Sequence, residues 1–319
     1  MLLAADIGGT HARIGVFTDE TSPVPVAIRN YPTVTLASFA DLYARFASDH
    51  GAPLALTAAG VGIAGPVRNG RGSLTNGTWG VAAEEVASVA GVRRTAVVND
   101  LVALGWCVSA IGEGRRVTLQ AGTPVDGSLD ADGVTAVMAP GTGLGEATVA
   151  RIDGRTHVLA SESGHADFAA RTDREWELAS RLRHVHGRAT VEDVLSGRGL
   201  GAIARLTHAG RACTASTPEA VTTNGLSGAC DACLDALHIF TGALGAEAGN
   251  LALRTLPAGG VYIGGGIAGA LLPLLRTGVF LDAFNHKPPM SELLGRIAVH
   301  VVTDTHAGLR GAAIAARHV

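Results

Sequence analysis

The sequence predicts an α/β fold built from two similar halves. Apolar segments of strand length alternate with longer segments of helical periodicity, which is typical of a partly parallel sheet covered by helices. Residues 3–17 contain a strand, a glycine turn and a second strand, and residues 134–152 repeat this unit. Because the repeated unit opens each half of the chain, we expect a duplicated architecture with a cleft between two lobes.

The first half continues as an alternation of strands and helices. Glycine and proline mark the ends of its apolar runs, and RTAVVND at 94–100 combines a buried strand with two polar residues at its end. In chain order we predict a strand near 24–29, a helix over 37–49, a buried strand within 54–67, a strand entering a loop at 72–79, a helix over 81–91, a strand over 94–100 and a helix from residue 101.

After its opening unit, the second half is richer in helices. The uncharged stretch 255–275 has the length of a membrane span, but glycines and prolines interrupt it, so it is better interpreted as a strand, a glycine turn and a helix. The other predicted elements are helices over 171–186, 191–209 and 229–256, strands over 259–266 and 298–304, and a last helix from residue 308.

Length and composition fit a globular enzyme. The 319 residues allow two domains, and 47% hydrophobic with 17% charged residues exclude a disordered chain. A net charge of −3 supplies no basic field for a phosphate backbone, so we expect no nucleic-acid partner. The N-terminus lacks the basic region and cleavage motif of a signal peptide, and we therefore expect a cytoplasmic protein without a membrane anchor.

The cysteines give little sign of chemistry in the sequence. Cys230 and Cys233 form a CxxC pair within a helical pattern, and no second pair of ligands lies nearby along the chain. We interpret the cysteines as buried helical thiols rather than as zinc ligands or a redox pair.

The two glycine turns are candidate phosphate-binding loops. Glycine lets backbone N–H groups converge on an anion at close range, and threonine adds a hydroxyl donor. Asp6, beside the first turn, is a candidate Mg²⁺ ligand through water, because that ion bridges phosphates and prefers carboxylates. Ordinary tight hairpin turns are the alternative. The loop residues are Gly8, Gly9 and Thr10 in the first turn and Gly141, Thr142 and Gly143 in the second.

Other nucleotide-binding motifs are absent or weak. A P-loop is excluded because the chain has no GxxxxGK[ST] motif and its one lysine, Lys287, lies outside any glycine loop. Residues 264–269 match GxGxxG after a strand, but glycine-rich turns of this kind are common and this one occurs late in the chain. Its three consecutive glycines, Gly264, Gly265 and Gly266, are equally compatible with packing against an adenosine.

Taken together, the motifs resemble those of bacterial ATP-dependent glucokinases of the non-repressor type, in the sugar kinase/actin/heat-shock ATPase superfamily. The motifs that carry the resemblance occur in family order along the whole chain: DIGGTHARIGVF, TNGTW, VVND, APGTGLGEA, ESGHADFA, EDVLSGRGL and GGVYIGGGI. The resemblance implies an actin-like (ribonuclease H-like) duplicated fold with a central cleft, in which 1–108 with 303–319 form a small lobe and 109–302 a large lobe. It also implies a cytoplasmic homodimer that uses ATP and Mg²⁺ to convert D-glucose to glucose 6-phosphate, releasing ADP, as the first step of glucose catabolism.

The resemblance also implies roles for individual residues. It makes Asp100 the catalytic base and 264–266 the adenosine segment, and it supports both phosphate loops. A sugar is bound by carboxylates and amides in paired hydrogen bonds, which agrees with the residue types involved. Each residue taken singly has another interpretation: a helix cap for the two in VVND, a surface acid for the glutamate of EDVLSG, and a core imidazole for the histidine of ESGH. The implied sugar-binding residues are Asn76, Asn99, Asp100, Glu162, His165 and Glu192.

Some positions depart from the family pattern. His11 stands where the family commonly has Asn, and Ser163 where it has Gly, which bears on nucleotide affinity and sugar preference. His184 and His186 are interpreted as helix surface and are assigned no metal.

Two other classes of protein are alternatives. A sugar-responsive repressor carries a DNA-binding segment and a cysteine-rich zinc motif. A non-catalytic actin-like ATPase would lack ESGH and VVND.

Overall fold

The computed structural model describes residues 1–75, 79–123, 133–213 and 215–319. The chain separates into two compact units, one formed by 1–115, 158–160 and 304–319 and the other by 116–157 and 161–303. Within the described residues, no helix combines the length and hydrophobicity needed to span a membrane.

Most of the described strands and helices follow the alternation that the sequence predicts, whereas the strands at 116–120 and 155–161 and the helix at 218–226 were not predicted. The strands are β1 (Leu2–Ile7), β2 (His11–Phe17), β3 (Pro25–Pro32), β4 (Ala58–Ile63), β5 (Val67–Arg68), β6 (Arg71–Ser73), β7 (Gly80–Ala82), β8 (Arg94–Asn99), β9 (Arg116–Gln120), β10 (Gly133–Pro140), β11 (Leu144–Ile152), β12 (Arg155–Ser161), β13 (Val261–Ile263) and β14 (Val299–Val302). The helices are α1 (Phe39–His50), α2 (Ala83–Ala90), α3 (Asp100–Val108), α4 (Asp173–His186), α5 (Val191–Val194), α6 (Gly197–Thr207), α7 (Pro218–Leu226), α8 (Asp231–Thr255), α9 (Gly265–Ala270), α10 (Leu272–Leu275), α11 (Val279–Asn285), α12 (Ser291–Gly295) and α13 (Ala307–Ala315). Short 3₁₀ helices are formed by Thr33–Thr35, Glu113–Arg115 and Ser163–His165.

The main sheet of the first unit has five strands in the order β3-β2-β1-β4-β8. β1 is antiparallel to β2 and parallel to β4, which is in turn parallel to β8. Ile7, Ile63 and Asn99 are in register across the three parallel strands, so these strands end at the same edge. A separate small sheet has the order β5-β6-β7.

A second large sheet has β10 near its centre, and its six described strands lie in the order β12-β11-β10-β13-β14-β9. Here β10 is antiparallel to β11 and parallel to β13, which is parallel to β14. The relation of β1 to β2, β4 and β8 is therefore repeated by β10 with β11, β13 and β14. The repeated topology confirms the duplicated α/β architecture that the sequence predicts.

Local sequence signals account for several helix ends. Ser38 and Thr172 each accept a backbone N–H at the start of α1 and α4, and Gly51 and Gly187 end these helices in the left-handed conformation. The pattern predicted as one helix over 191–209 forms two helices instead. The break is at Ser196, whose hydroxyl accepts the Gly199 N–H and begins α6.

The C-terminal helix α13 packs closely against β4 and α3 of the first unit, to which it belongs, because two glycines remove side chains from the contact. A Cβ at Gly60 in β4 would overlap the carbonyl oxygen of Ala312, and a Cβ at Gly311 would overlap that of Ala103 in α3. Arg310 is buried in this helix and pairs with Asp304 at 2.7 Å.

Candidate active site

One group of predicted site residues lies at the edge of the first unit where β1, β4 and β8 end. Asp6 is the next-to-last residue of β1, and Asn99 ends β8. Asp100, predicted as the end of the strand, is instead the first residue of α3. Ligands of α/β proteins bind at the carboxyl ends of parallel strands, so the topology brings these residues to the expected edge.

Asp100 is a half-buried carboxylate with a raised pKa. Its Oδ1 accepts the Leu101 N–H at 2.9 Å, which fixes the side chain over the first turn of α3. Burial, and after it the negative charge of Asp6, raise the pKa of Asp100 to about 6. A carboxylate with this pKa is suited to accept a proton near neutral pH.

Asn99 carries out the helix-capping role that was the alternative to sugar binding. Its Oδ1 accepts the Leu101 N–H at 2.9 Å, and its Nδ2 donates to the Gly65 carbonyl at 3.1 Å. These bonds fix the amide in one orientation beside Asp100. Its part in sugar binding stays a prediction, and the side chain is pre-oriented for either task.

Asp6 has the surroundings expected of a cation ligand. Among the described residues its carboxylate accepts no hydrogen bond, and the nearest positive group is the Arg13 guanidinium at 3.8 Å. Burial raises the pKa of Asp6 more than Arg13 lowers it. A Cβ at Gly308, at the start of α13, would lie 3.0 Å from Asp6 Oδ2, so this glycine leaves room at the carboxylate. The donor chemistry fits a hydrated Mg²⁺ ion.

The first glycine loop is held by bonds that leave two of its N–H groups available. Gly8 donates to the His11 carbonyl at 2.9 Å and accepts the Thr33 hydroxyl at 2.7 Å. In the part of the chain that the structure describes, no protein acceptor takes the N–H groups of Gly9 and Thr10. Adjacent unpaired N–H groups in a turn are suited to an anion.

The second glycine loop is built around a glutamate. Gly141 donates to the Gly143 carbonyl at 2.7 Å, which closes the turn. Glu192 Oε2 accepts the Leu144 N–H at 2.9 Å, and a Cβ at Gly143 would overlap this carboxylate. An alanine at position 143 would therefore displace the Glu192 carboxylate. The N–H groups of Thr142 and Gly143 have no protein acceptor among the described residues.

The ESGH segment lies against the same loop. Glu162 precedes the 3₁₀ helix Ser163–His165, and its carboxylate is 3.8 Å from His165 Nε2. A Cβ at Gly164 would overlap the carbonyl oxygen of Leu144, so the turn packs directly on the loop. The side chains of Glu162 and His165 are 86% and 62% exposed, which leaves both available to a ligand and excludes the core-imidazole interpretation.

The second unit also contains a pocket of about 1040 Å³ that begins at the second glycine loop. The predicted adenosine segment reaches it through Gly266. Gly265 adopts a φ of +87°, and a Cβ there would lie 2.6 Å from the Pro140 carbonyl, so the chain approaches the end of β10 closely. The pocket is lined by Gly141, Thr142, Leu182, His186, Asp193, Gly197, Arg198, Leu200, Gly201, Ala202, Arg205, Ser216, Thr217, Pro218, Glu219, Thr222, Thr223, Gly266, Ile267 and Ala270.

Sequence reasoning missed much of this pocket. Parts of α6 and α7 line it, and none of their residues was among the predicted site residues; Gly141, Thr142 and Gly266 are the predicted site residues in its lining. Arg198 bonds Glu192 Oε1 at 3.0 Å and lines the pocket, and His186 is a lining residue as well as an exposed one. The SGRGL segment was the available signal, because its glycines and arginine follow a capped helix start. Asn76 lies outside the described residues.

The interpretation of the cysteines needs a correction. Three of the four cysteines lie together with a histidine, because the fold brings Cys213 and His208 close to the CxxC pair. The second pair of ligands is distant in sequence and close in space. The consequence is developed below.

The chain is similar to known proteins over nearly its whole length. The glucokinase family model matches residues 3–319. A glucokinase of Synechocystis sp. is 34% identical over 349 residues, covering 98% of this chain and 97% of that protein. Among solved structures, a glucokinase from an Antarctic psychrotroph has a TM-score of 0.84 at 30% identity, covering 100% of this chain and 99% of that one. A ROK family glucokinase from Streptomyces griseus, in complex with glucose and AMPPNP, has a TM-score of 0.71 at 19% identity, covers 100% of this chain and 99% of that one, and shows the same fold.

The fold is that of the actin-like sugar kinases, with a duplicated sheet topology and a glycine loop in each half. The chain is an ATP-dependent hexose kinase. The chain belongs to the glucokinase family.

Proposed function

We propose that the chain transfers the terminal phosphoryl group of ATP to the 6-hydroxyl of D-glucose, with Asp100 as the catalytic base. The observation that carries the proposal is the half-buried Asp100 carboxylate at the edge where β1, β4 and β8 end, with a pKa raised to about 6. Near neutral pH this group is ionised and can accept the proton of the attacking hydroxyl. Family membership supports the reaction.

Asp100 and Asn99 are proposed to have different roles toward the sugar. The Leu101 N–H holds Oδ1 of Asp100, so the carboxylate does not rotate away as it takes up the proton. Asn99 is fixed by its bond to Gly65 and is placed to orient the sugar. Phosphoryl transfer depends mainly on positioning and charge neutralisation, so a fixed base beside a fixed amide is an appropriate arrangement.

Glu162, His165 and Glu192 are proposed to bind the sugar hydroxyls. The first two are exposed and share only a long contact of 3.8 Å. Glu192 is bonded by Leu144 and by Arg198, but each carboxylate oxygen has more than one lone pair and can accept a further hydroxyl. The same side chain would then link the sugar to the second glycine loop.

The nucleotide is proposed to bind in the pocket of the second unit, beside the second glycine loop, and the first glycine loop is proposed as a phosphate-binding loop of the first unit. The N–H groups of Gly9, Thr10, Thr142 and Gly143 supply donors for phosphate oxygens. The pocket continues from Thr142 to Gly266, as the adenosine assignment requires. Mg²⁺ held through water at Asp6 would neutralise phosphate charge when bound.

The proposal is tested by a coupled assay of ADP release with ATP, Mg²⁺ and a panel of hexoses. We expect release that depends on glucose and on Mg²⁺, and glucose 6-phosphate as the product. Release of equal size without sugar would indicate an ATPase and overturn the proposal. Absence of release with every hexose, in a preparation that binds ATP, would also overturn it.

We further propose that the enzyme is a cytoplasmic homodimer. Within each chain, the two units are proposed to correspond to the lobes predicted at 1–108 with 303–319 and at 109–302. The support is the family resemblance. Light scattering on the eluting protein should give twice the chain mass of 32.3 kDa. A mass of one chain at micromolar concentration would refute the dimer.

A further inference from the structure

Three cysteines and a histidine converge at one point of the second unit. His208 follows α6, Cys213 lies in the loop before α7, and Cys230 and Cys233 begin α8. Their ligand atoms, one nitrogen and three sulfurs, all lie within 4.8 Å of one another. No other chemistry described above uses these side chains.

The distances match a tetrahedral metal site. Zinc–sulfur bonds of about 2.3 Å and zinc–nitrogen bonds of about 2.0 Å place tetrahedral ligand atoms about 3.5–3.8 Å apart. Cys213 Sγ lies 3.9 Å from Cys233 Sγ. His208 Nε2 lies 3.6 Å from Cys230 Sγ and 3.4 Å from Cys233 Sγ. A disulfide would need two sulfurs about 2.05 Å apart, and all four cysteines are free.

The histidine is oriented as a metal ligand is. Its Nδ1 lies 2.5 Å from the Ala204 carbonyl, so Nδ1 carries the proton and Nε2 presents its lone pair to the cysteines. His208 is 9% exposed, and Cys233 is fully buried. The Thr207 hydroxyl donates to the Ala232 carbonyl at 2.8 Å and holds the end of α6 against the start of α8.

The CxxC pair is also prepared to bind a cation. The Cys233 N–H donates to Cys230 Sγ at 3.4 Å at the N-terminus of α8. An N–H bond and a helix N-terminus both favour thiolate over thiol.

We propose that His208, Cys213, Cys230 and Cys233 bind one structural Zn²⁺ ion. Four protein ligands with three thiolates and one imidazole fill a tetrahedral shell, which is the composition of closed structural zinc sites rather than catalytic ones. Binding displaces the protons of the thiols, so affinity falls as the pH is lowered.

The ion would stabilise one wall of the large pocket. Cys213 lies shortly before Ser216 and Thr217, which line the pocket, and α6 and α7 both contact α8. Tying the loop before α7 to both helices limits the movement of that wall. The effect on ATP rests on the proposed function, whereas zinc binding itself does not.

The test is the metal content of the wild-type protein, purified with a reductant and without chelators and then incubated with Zn²⁺ and desalted. We expect about one Zn²⁺ per chain. Replacing zinc by Co²⁺ should produce the visible bands of tetrahedral cobalt–thiolate coordination. Cys213→Ser and His208→Gln should each lose most of the zinc. Cys107→Ser is the matched control, because it removes the remaining cysteine, buried in α3 of the first unit, and should keep full zinc.

Zinc removal should also lower the melting temperature and raise the KM for ATP several-fold, with a smaller change for glucose. Wild-type protein that retains no zinc and develops no cobalt bands would overturn the proposal. So would zinc retention in Cys213→Ser equal to that of Cys107→Ser, or recovery of two of these cysteines as a disulfide from reduced protein. If the chain proved to lack kinase activity, zinc content and melting temperature would still decide the metal site.

Discussion

Glu192 Oε2 accepts a hydrogen bond of 2.9 Å from the backbone N–H of Leu144, and this bond ties the start of α5 to the second glycine loop. Gly143 leaves room for this bond, because a Cβ there would overlap Glu192 Oε2. One side chain thus links a predicted phosphate loop to a predicted sugar contact.

Gly143→Ala should therefore weaken the use of both substrates. Displacing Glu192 costs a charged hydrogen bond, about 1.5–3 kcal/mol, and we expect KM for ATP and for glucose to rise about 10-fold or more. Gly295→Ala is the control, because open space surrounds that position. In a Glu192→Ala background, Gly143→Ala should raise the two KM values much less. Full additivity of the two substitutions in this double-mutant cycle would contradict the steric link.

Asp100→Asn should lower kcat by roughly 10²–10⁴-fold while glucose still binds, since the amide keeps the shape but cannot accept the proton. Asn99 also accepts the Leu101 N–H, so the cap of α3 does not depend on Asp100, and the melting temperature should change little. Turnover and glucose affinity are measured on the same preparation. Near-normal turnover would remove Asp100 from the mechanism.

The Asp100 carboxyl should titrate with a midpoint of about 6 in the ligand-free protein. Burial and the charge of Asp6 both disfavour its ionised form, so Asp6→Asn should move the midpoint to lower pH. Carbon-13 NMR of labelled aspartates, with the signal assigned by its loss in Asp100→Asn, measures both values. An unchanged midpoint in Asp6→Asn would show that the two carboxylates do not interact.

Glu162→Gln and His165→Ala should impair glucose use more than ATP use. Losing a charged partner of a sugar hydroxyl costs on the order of 1.5–3 kcal/mol, or roughly 10- to 150-fold in KM for glucose. Glu177→Gln, an exposed glutamate of α4 paired with Arg181, is the control. Wild-type KM for glucose together with weakened ATP binding would contradict the assignment.

Glu146 should make stability depend on pH. Burial, and after it the charge of Glu247, raise the pKa of Glu146 to about 7, although Arg254 opposes them. Between about pH 4.5 and 7, the folded state keeps this proton whereas the unfolded state has released it. The free energy of unfolding therefore falls as the pH rises through this range, by about 3 kcal/mol at most. The melting temperature of Glu146→Gln should therefore fall less between pH 5 and 8 than that of wild type. Glu113→Gln, at an exposed position, should keep the wild-type profile, and identical profiles for all three proteins would refute the prediction.

The strands and loops were predictable because their signals are local. The buried strand before Asp6, the glycine turn after it, and the same unit at 134–152 are encoded by residues adjacent in the chain, and the structure confirms them. The break at Ser196 was not predicted, because the helical periodicity continues across it and only the cap shows where α6 begins.

By itself the sequence determined the α/β class, the duplication, the family and the order of the motifs, since each depends on periodicity and short-range residue choice. Only the tertiary structure decided which distant residues meet: Glu192 with Leu144, α6 and α7 around the pocket, and His208 and Cys213 with the CxxC pair. Such contacts depend on how helices pack and on which side chains a glycine leaves room for. Packing of this kind is set by the whole chain at once, and no local segment encodes it.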